Sequence, residues 1–212
     1  MIAETFTRAS LRAAAPLLAA TVLAGSCGIF DAREPNPPGG DGSTPRQSPV
    51  NANAVVFNFT NAVAYMDQGQ YEEALAADFE FTPDEADRLF FLATVGADVF
   101  EDWGRDAEMT AIQKIFSESE SLTVSFDEVT RQEWPDSALV RLDYAFRRRI
   151  ARSGMDDSVA TFKGFAEIHL RADNSSFWSI DEWVDTERST DFLTWGRLKG
   201  STASGGAASA RD

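Results

Sequence analysis

The sequence predicts one α+β domain, and three observations lead there. Apolar residues recur at helical spacing over most of the stretch from Asn53 to about Phe116, they alternate one by one from Ser121 onward, and only the short DFEF segment at 78–81 breaks the helical half. Helices first and a run of strands afterwards describe segregated layers rather than βαβ units. The chain has 212 residues, 43% of them hydrophobic, enough for one core of ordinary size.

In order along the chain, Val56, Phe59, Val63 and Met66 mark a first helix over 53–67, with Gly69 as its stop. Gln70–Leu75 continues as a short second helix into the strand DFEF at 78–81. The words GQYEEAL are similar to a tetratricopeptide repeat, but no second copy follows at a spacing of roughly 34 residues, which excludes a helical array. Thr82, Pro83 and Glu85 read as cap, first-turn proline and capping-box partner of a third helix with Ala86, Leu89, Phe90 and Ala93 on its buried face. After Gly96, periodicity resumes near Trp103 and carries through Met109, Ile112, Ile115 and Phe116, with Asp102, Asp106 and Glu108 near the positive end of the helix dipole. From Ser121 the period becomes two. Leu122, Val124 and Phe126 form one strand, and Val140, Leu142, Tyr144, Phe146 and Ile150 a second, after a turn at 134–137. Phe162, Ala166, Ile168 and Leu170 form a third after a turn at 153–157, with Gly164 as a candidate bulge. Trp178, Ile180 and Val184 form a last one after the turn at 173–176. Phe192, Leu193, Trp195 and Leu198 then read as a lid or short strand against the sheet edge.

This order of elements over roughly 53–187 resembles the nuclear-transport-factor-2-like superfamily, which includes ketosteroid isomerases and polyketide cyclases. The marks are an aromatic-rich first helix, DFEF at 78–81, a Trp-containing third helical region and FWSIDEW at 177–183. The resemblance implies N-terminal helices packed in the concave face of a curved antiparallel sheet, a cone whose open end can hold a small apolar ligand. A fold of this breadth fixes no reaction.

The ends of the chain read as address and tether. Arg8 and Arg12 precede the apolar run 13–24, too short to span a bilayer at roughly 20 residues, and Ala24, Gly25 and Ser26 lead into Cys27. The segment resembles a bacterial lipoprotein signal, with its aliphatic residue, Leu23, one place early. The resemblance implies cleavage of residues 1–26 and acylation of Cys27, whose buried methylenes would anchor the chain to a membrane. Gly28 carries no aspartate-type retention signal, which points to the outer membrane where there is one. Residues 27–52 then form a Pro/Gly-rich spacer, 53–200 the domain and 201–212 a low-complexity tail.

The formal charge of -15, from 34 acidic against 19 basic side chains, repels phosphate backbones and argues against nucleic acid as a partner. One cysteine and one histidine, His169, leave no transition-metal set, the acidic turns lack calcium-loop spacing, and no P-loop, nucleotide fingerprint, GxSxG or HExxH motif implies a cofactor or a nucleophile. Arg147, Arg148, Arg149 and Arg152 are the one basic cluster, but strand alternation sends Arg148 to the opposite face. An isomerase-like site needs a carboxylate base and an oxyanion donor in an apolar pocket. Tyr144 and Glu182, on the apolar faces of their strands, are the candidates, with Trp103 as pocket wall. The plainer alternative makes Tyr144 and Trp103 core packing and Glu182 a solvated strand end.

Three classes therefore remain. The first is a lipid-anchored envelope protein that binds a small apolar ligand or another envelope protein without chemistry. The second is an isomerase- or cyclase-like enzyme. The third is a homo-oligomer joined through the outer sheet face of Arg141, Asp143, Glu167, His169 and Arg171.

Overall fold

The computed structural model describes residues 44–150 and 158–205. The signal segment, Cys27, most of the spacer, the 153–157 turn and the tail beyond 205 lie outside the described residues.

Asn51 caps α1 (Ala52–Tyr65) by accepting from Ala54 N at 2.9 Å, and Met66, left-handed at φ 55°, ends it. The expected stop, Gly69, lies instead inside α2 (Gln68–Ala74), because Asp67 accepts from Gln70 N and restarts the helix. α2 runs directly into β1 (Leu75–Thr82). The cap of α3 (Glu85–Val95) is Asp84, not Thr82: its carboxylate accepts from Ala86 N at 2.8 Å. The buried residues of α3 are Asp87 and Phe91, so the expected face of Ala86, Leu89, Phe90 and Ala93 is rotated and Leu89 is exposed. α4 (Arg105–Ser117) buries Ala111, Ile112, Ile115 and Phe116, and with them Glu108.

Four long strands follow, β2 (Ser121–Glu133), β3 (Ser137–Ile150), β4 (Ser158–Ala172) and β5 (Trp178–Glu187). They pair antiparallel in sequence, and β1 adds parallel to β5, giving the order β1-β5-β4-β3-β2. The concave face carries Val140, Leu142, Tyr144 and Phe146 of β3 and Phe162, Ala166, Ile168 and Leu170 of β4, all buried as the alternation predicts. The register between β3 and β4 is unbroken at Gly164. A Cβ there would overlap the Tyr144 hydroxyl and lie 2.8 Å from Thr186 O, so this glycine makes room for the tyrosine and is not a bulge.

The bulge lies in β5. His169 pairs Glu182 but Leu170 pairs Ile180, which leaves Asp181 as the extra residue. Alternation reverses across it, so Ile180, Trp183 and Asp185 are buried on the concave face while Glu182 and Val184 turn outward. The expected shared face of Ile180, Glu182 and Val184 is thereby corrected.

Helices α1 and α2 pack into the curve through Phe59, whose ring lies 5.3 Å from Trp183 and 4.9 Å from Tyr71 between centroids. Residues 44–50 belong to this packing as well. Gln47 and Asn58 exchange two hydrogen bonds of 2.8 Å, and Trp178 N donates to Pro49 O at 2.7 Å, so the folded unit reaches back past Asn53. It also runs forward past residue 200, because α5 spans Trp195–Ala203. That helix is inside the cone, not on the sheet edge as expected. Trp195 stacks on Phe146 at 4.1 Å, and α5 packs against α3, α4 and β4. Among the described residues no helix is long and apolar enough to cross a membrane.

Candidate functional site

The cone interior gathers three buried carboxylates, one each from α3, α4 and β5: Asp87, Glu108 and Asp185. The two cations that meet them, Arg197 and Lys199, both come from α5. The walls are acidic and the inserted helix is basic.

Asp185 sits beneath the first turn of α5. It accepts from the Tyr144 hydroxyl at 2.6 Å and from Gly196 N at 2.7 Å, while Trp195 N donates to the Tyr144 oxygen at 2.8 Å. The carboxylate and phenol together satisfy amides that the helix start would otherwise leave unpaired. Burial raises the Asp185 carboxyl to about 7, against the pull of the Tyr144 and Gly196 donors and of Lys199. Burial, with Asp185 adjacent, holds the Tyr144 phenol well above its ordinary value. Gly196 leaves room for the two carboxylates: a Cβ would come within 3.1 Å of Asp185 Oδ2 and 3.2 Å of Asp87 Oδ2.

Asp87 accepts from Arg197 Nε at 2.7 Å and from the Thr194 hydroxyl, and Thr194 in turn caps α5 by accepting from Arg197 N. The Arg197 guanidinium also lies over Phe90, 3.6 Å from the ring centre. Burial raises the Asp87 carboxyl, and its Thr194 and Arg197 partners oppose the shift.

Glu108 is completely buried and is met from three sides. Tyr71 donates to Oε1 at 2.5 Å, Trp103 Nε1 donates to Oε2 at 2.8 Å, and Lys199 Nζ stands 2.9 Å from Oε1. The Lys199 ammonium, with no exposure, is otherwise surrounded by rings: its nitrogen is 3.6 Å from the centre of Phe81, 5.3 Å from Trp183 and 5.6 Å from Trp195. Burial pushes the Lys199 pKa down, and Glu108 and Asp185 oppose it.

Of the residues singled out in the sequence, Tyr144 and Trp103 both lie within this interior. Glu182 does not. It is on the outer face, 3.5 Å from His169 Nε2, so Tyr144 and Glu182 cannot converge on a substrate. Asp185, three residues later, takes the place beside Tyr144. Trp103 also borders two surface hollows of about 530 and 400 Å³, the first between β1 and the 100–105 segment, the second between α4 and the end of α5. Arg148 turns inward, as expected, to Glu118 at 3.1 Å and Ser119 at 2.9 Å. Among the described residues no group of three or more His, Cys, Asp or Glu is arranged to hold a metal.

No protein-family model and no curated protein matches the chain. Solved structures do. A conserved protein from Planctomyces limnophilus superposes with a TM-score of 0.51 at 15% identity, covering 63% of this chain and 91% of its own. A protein from Kribbella flavida superposes at 0.50 with 10% identity, covering 68% and 91%. A candidate aromatic ring hydroxylase from Novosphingobium aromaticivorans reaches 0.49 at 12% identity, covering 67% and 90%. The first two likenesses concern the fold, an α+β domain whose helices pack in the concave face of a curved five-stranded sheet.

Proposed function

We propose that the chain is a lipid-anchored protein of a bacterial cell envelope, held through Cys27, whose cone binds a small molecule or an envelope protein and performs no chemistry on it. The observation that supports the binding reading is the engagement of every interior carboxylate named above by α5. Asp87 meets Arg197, Glu108 meets Lys199 and Asp185 meets Gly196, so none stands free as a base. A base must reach the proton it abstracts, directly or through one water. The membrane attachment rests on the sequence from Arg8 to Cys27.

A second reading, an isomerase- or cyclase-like enzyme, is favoured by the Tyr144–Asp185 pair. A carboxyl that accepts from a phenol at 2.6 Å forms with it a suitable acid–base couple once α5 is withdrawn. Native mass spectrometry of the protein purified from its own envelope separates these. An acylated mass at Cys27 with a bound molecule recovered unchanged supports the carrier. An unacylated mass removes the anchor, and recovery of a chemically altered ligand supports the enzyme.

A further inference from the structure

We infer that the acidic interior of the cone is a receptor for a small organic ammonium cation, and that α5 occupies it in cis through Lys199. The inference rests on the binding reading above and names its ligand class.

The walls bring Asp87, Glu108 and Asp185 into one apolar space, and Lys199 and Arg197 reach them only because α5 is inserted. Carboxylates enclosed without a counter-cation repel one another and are poorly solvated, so the emptied cone selects positive charge. The Lys199 environment then specifies which kind. An ammonium 2.9 Å from Glu108 and over the face of Phe81, with Trp183 beyond, has the surroundings that bind alkylammonium groups. Phe81, Trp183, Tyr71, Trp103 and Glu108 all belong to the walls and remain when the helix departs. Trp195 leaves with α5 and uncovers Phe146, on which it stacks with planes 9° apart, so a flat apolar body attached to the ammonium has a surface to replace it.

The composition of α5 separates a stand-in from a permanent seal. A helix and walls needed only to fill the cone would carry apolar side chains at both positions 108 and 199, since a buried ion pair rarely gains over a pair of hydrophobic isosteres. Instead the nine-residue helix inserts a fully buried lysine. Its fit is close: a Cβ on Gly200 would overlap the Phe91 ring. The chain that leads into α5 exposes Phe192 and Leu193.

The test uses the full mature chain. Lys199→Ala vacates the cage while leaving its walls, and calorimetry with n-butylammonium, 1-butanol and butyrate reads its selectivity. Saturable binding of n-butylammonium about tenfold or more tighter than 1-butanol is expected, with butyrate rejected and the preference abolished when Glu108→Gln is added. Equal binding of alcohol and ammonium, or binding of neither, overturns the receptor. The wild-type chain supplies a measurement independent of that variant's folding. Phenethylammonium should accelerate amide exchange of residues 195–200 in a concentration-dependent way, and unchanged exchange at saturating concentration overturns displacement of the helix. A neutral or anionic molecule found in the cone by native mass spectrometry would remove the ammonium class while leaving the binding reading intact.

Discussion

Glu108 shows what a single buried side chain decides here. It accepts from Tyr71 and Trp103 whether or not Lys199 is present, whereas the Lys199 ammonium has Glu108 as its one carboxylate within 4 Å among the described residues. The two are therefore unequal partners. Glu108→Gln strands a buried cation and should lower stability by about 3–5 kcal/mol. Lys199→Met leaves a carboxylate with two donors and should lower it by less than about 2 kcal/mol. The double variant should be more stable than Glu108→Gln alone, since the stranded charge is gone. Urea unfolding of the four proteins measures this, and simple additivity of the two losses would refute the coupling. Half of the arrangement was legible beforehand. Glu108 stands four residues before Ile112 and seven before Ile115, on the buried stripe, but an acid in a first helical turn has the ordinary explanation of the helix dipole. Only the tertiary partners Tyr71 and Lys199, 37 residues before and 91 after it, distinguish the two. Gly164 was legible as unusual and misread in kind. Gly164→Ala should destabilise by about 1–3 kcal/mol through overlap with Tyr144 and Thr186. A Tyr144→Phe background should relieve part of that loss, and an equal loss in both backgrounds would show that the overlap lies elsewhere.

Among the elements, β5 and α5 carry what the sequence concealed. Strand alternation assigns faces only while the register holds, and one extra residue at Asp181 moves Glu182 out and Asp185 in. By contrast β3 and β4 keep register over their whole paired length, and their inner faces follow the sequence pattern residue by residue. For α5, the glycines at 196 and 200 lower helix propensity, and a lysine reads as solvent-facing until its cage is seen. Asp185 gives the docking of α5 a pH dependence of definite sign between roughly pH 4 and 7, opposite to that of Lys199, whose pKa burial pushes down. That carboxyl faces Tyr144, Gly196, Lys199 and Asp87, and its folded pKa, about 7, lies above the ordinary 3.8. A raised folded pKa means that the folded state holds more protons between roughly pH 4 and 7. The stability this group contributes is complete below that window and is lost as pH rises through 7, at up to about 1.4 kcal/mol per pH unit. Asp87, also raised by burial, acts in the same direction. Acids held low by their partners, such as Asp67 with Gln70 and Asp98 with Arg88, titrate below the window. Unfolding free energies at pH 5 and pH 7 should therefore favour pH 5, and Asp185→Asn should flatten the difference. An unaltered slope in that variant would place the titration elsewhere.

On the scale of the whole molecule, two surfaces decide how the domain meets its surroundings. The outer sheet face is covered by pairs internal to the chain: Arg171 with Asp78 at 2.6 Å, Arg188 with Asp143 at 3.0 Å and His169 with Glu182 at 3.5 Å. Side chains already paired have less to gain across a two-fold axis, and exposed pairs contribute little in any case. The homo-oligomer reading thus has to draw on other residues, and light scattering that returns a single-chain mass at high concentration would remove it. The other surface is the end of the chain that bears Cys27, outside the described residues. With a formal charge of -15 the protein is repelled by anionic headgroups, so its electrostatics work against a membrane surface, and the proposed attachment rests on acyl chains at Cys27. One acyl chain gives marginal, reversible binding and two or more give a lasting hold, which makes the contrast between wild type and Cys27→Ser large. The wild-type protein expressed in its own host should partition into the detergent phase of a phase-separating surfactant and stay with membranes at both low and high salt. Cys27→Ser should appear in the aqueous phase at either salt concentration. A wild type found in the aqueous phase overturns the acyl anchor, and a serine variant still held on membranes and released only by salt shows attachment through a partner protein instead.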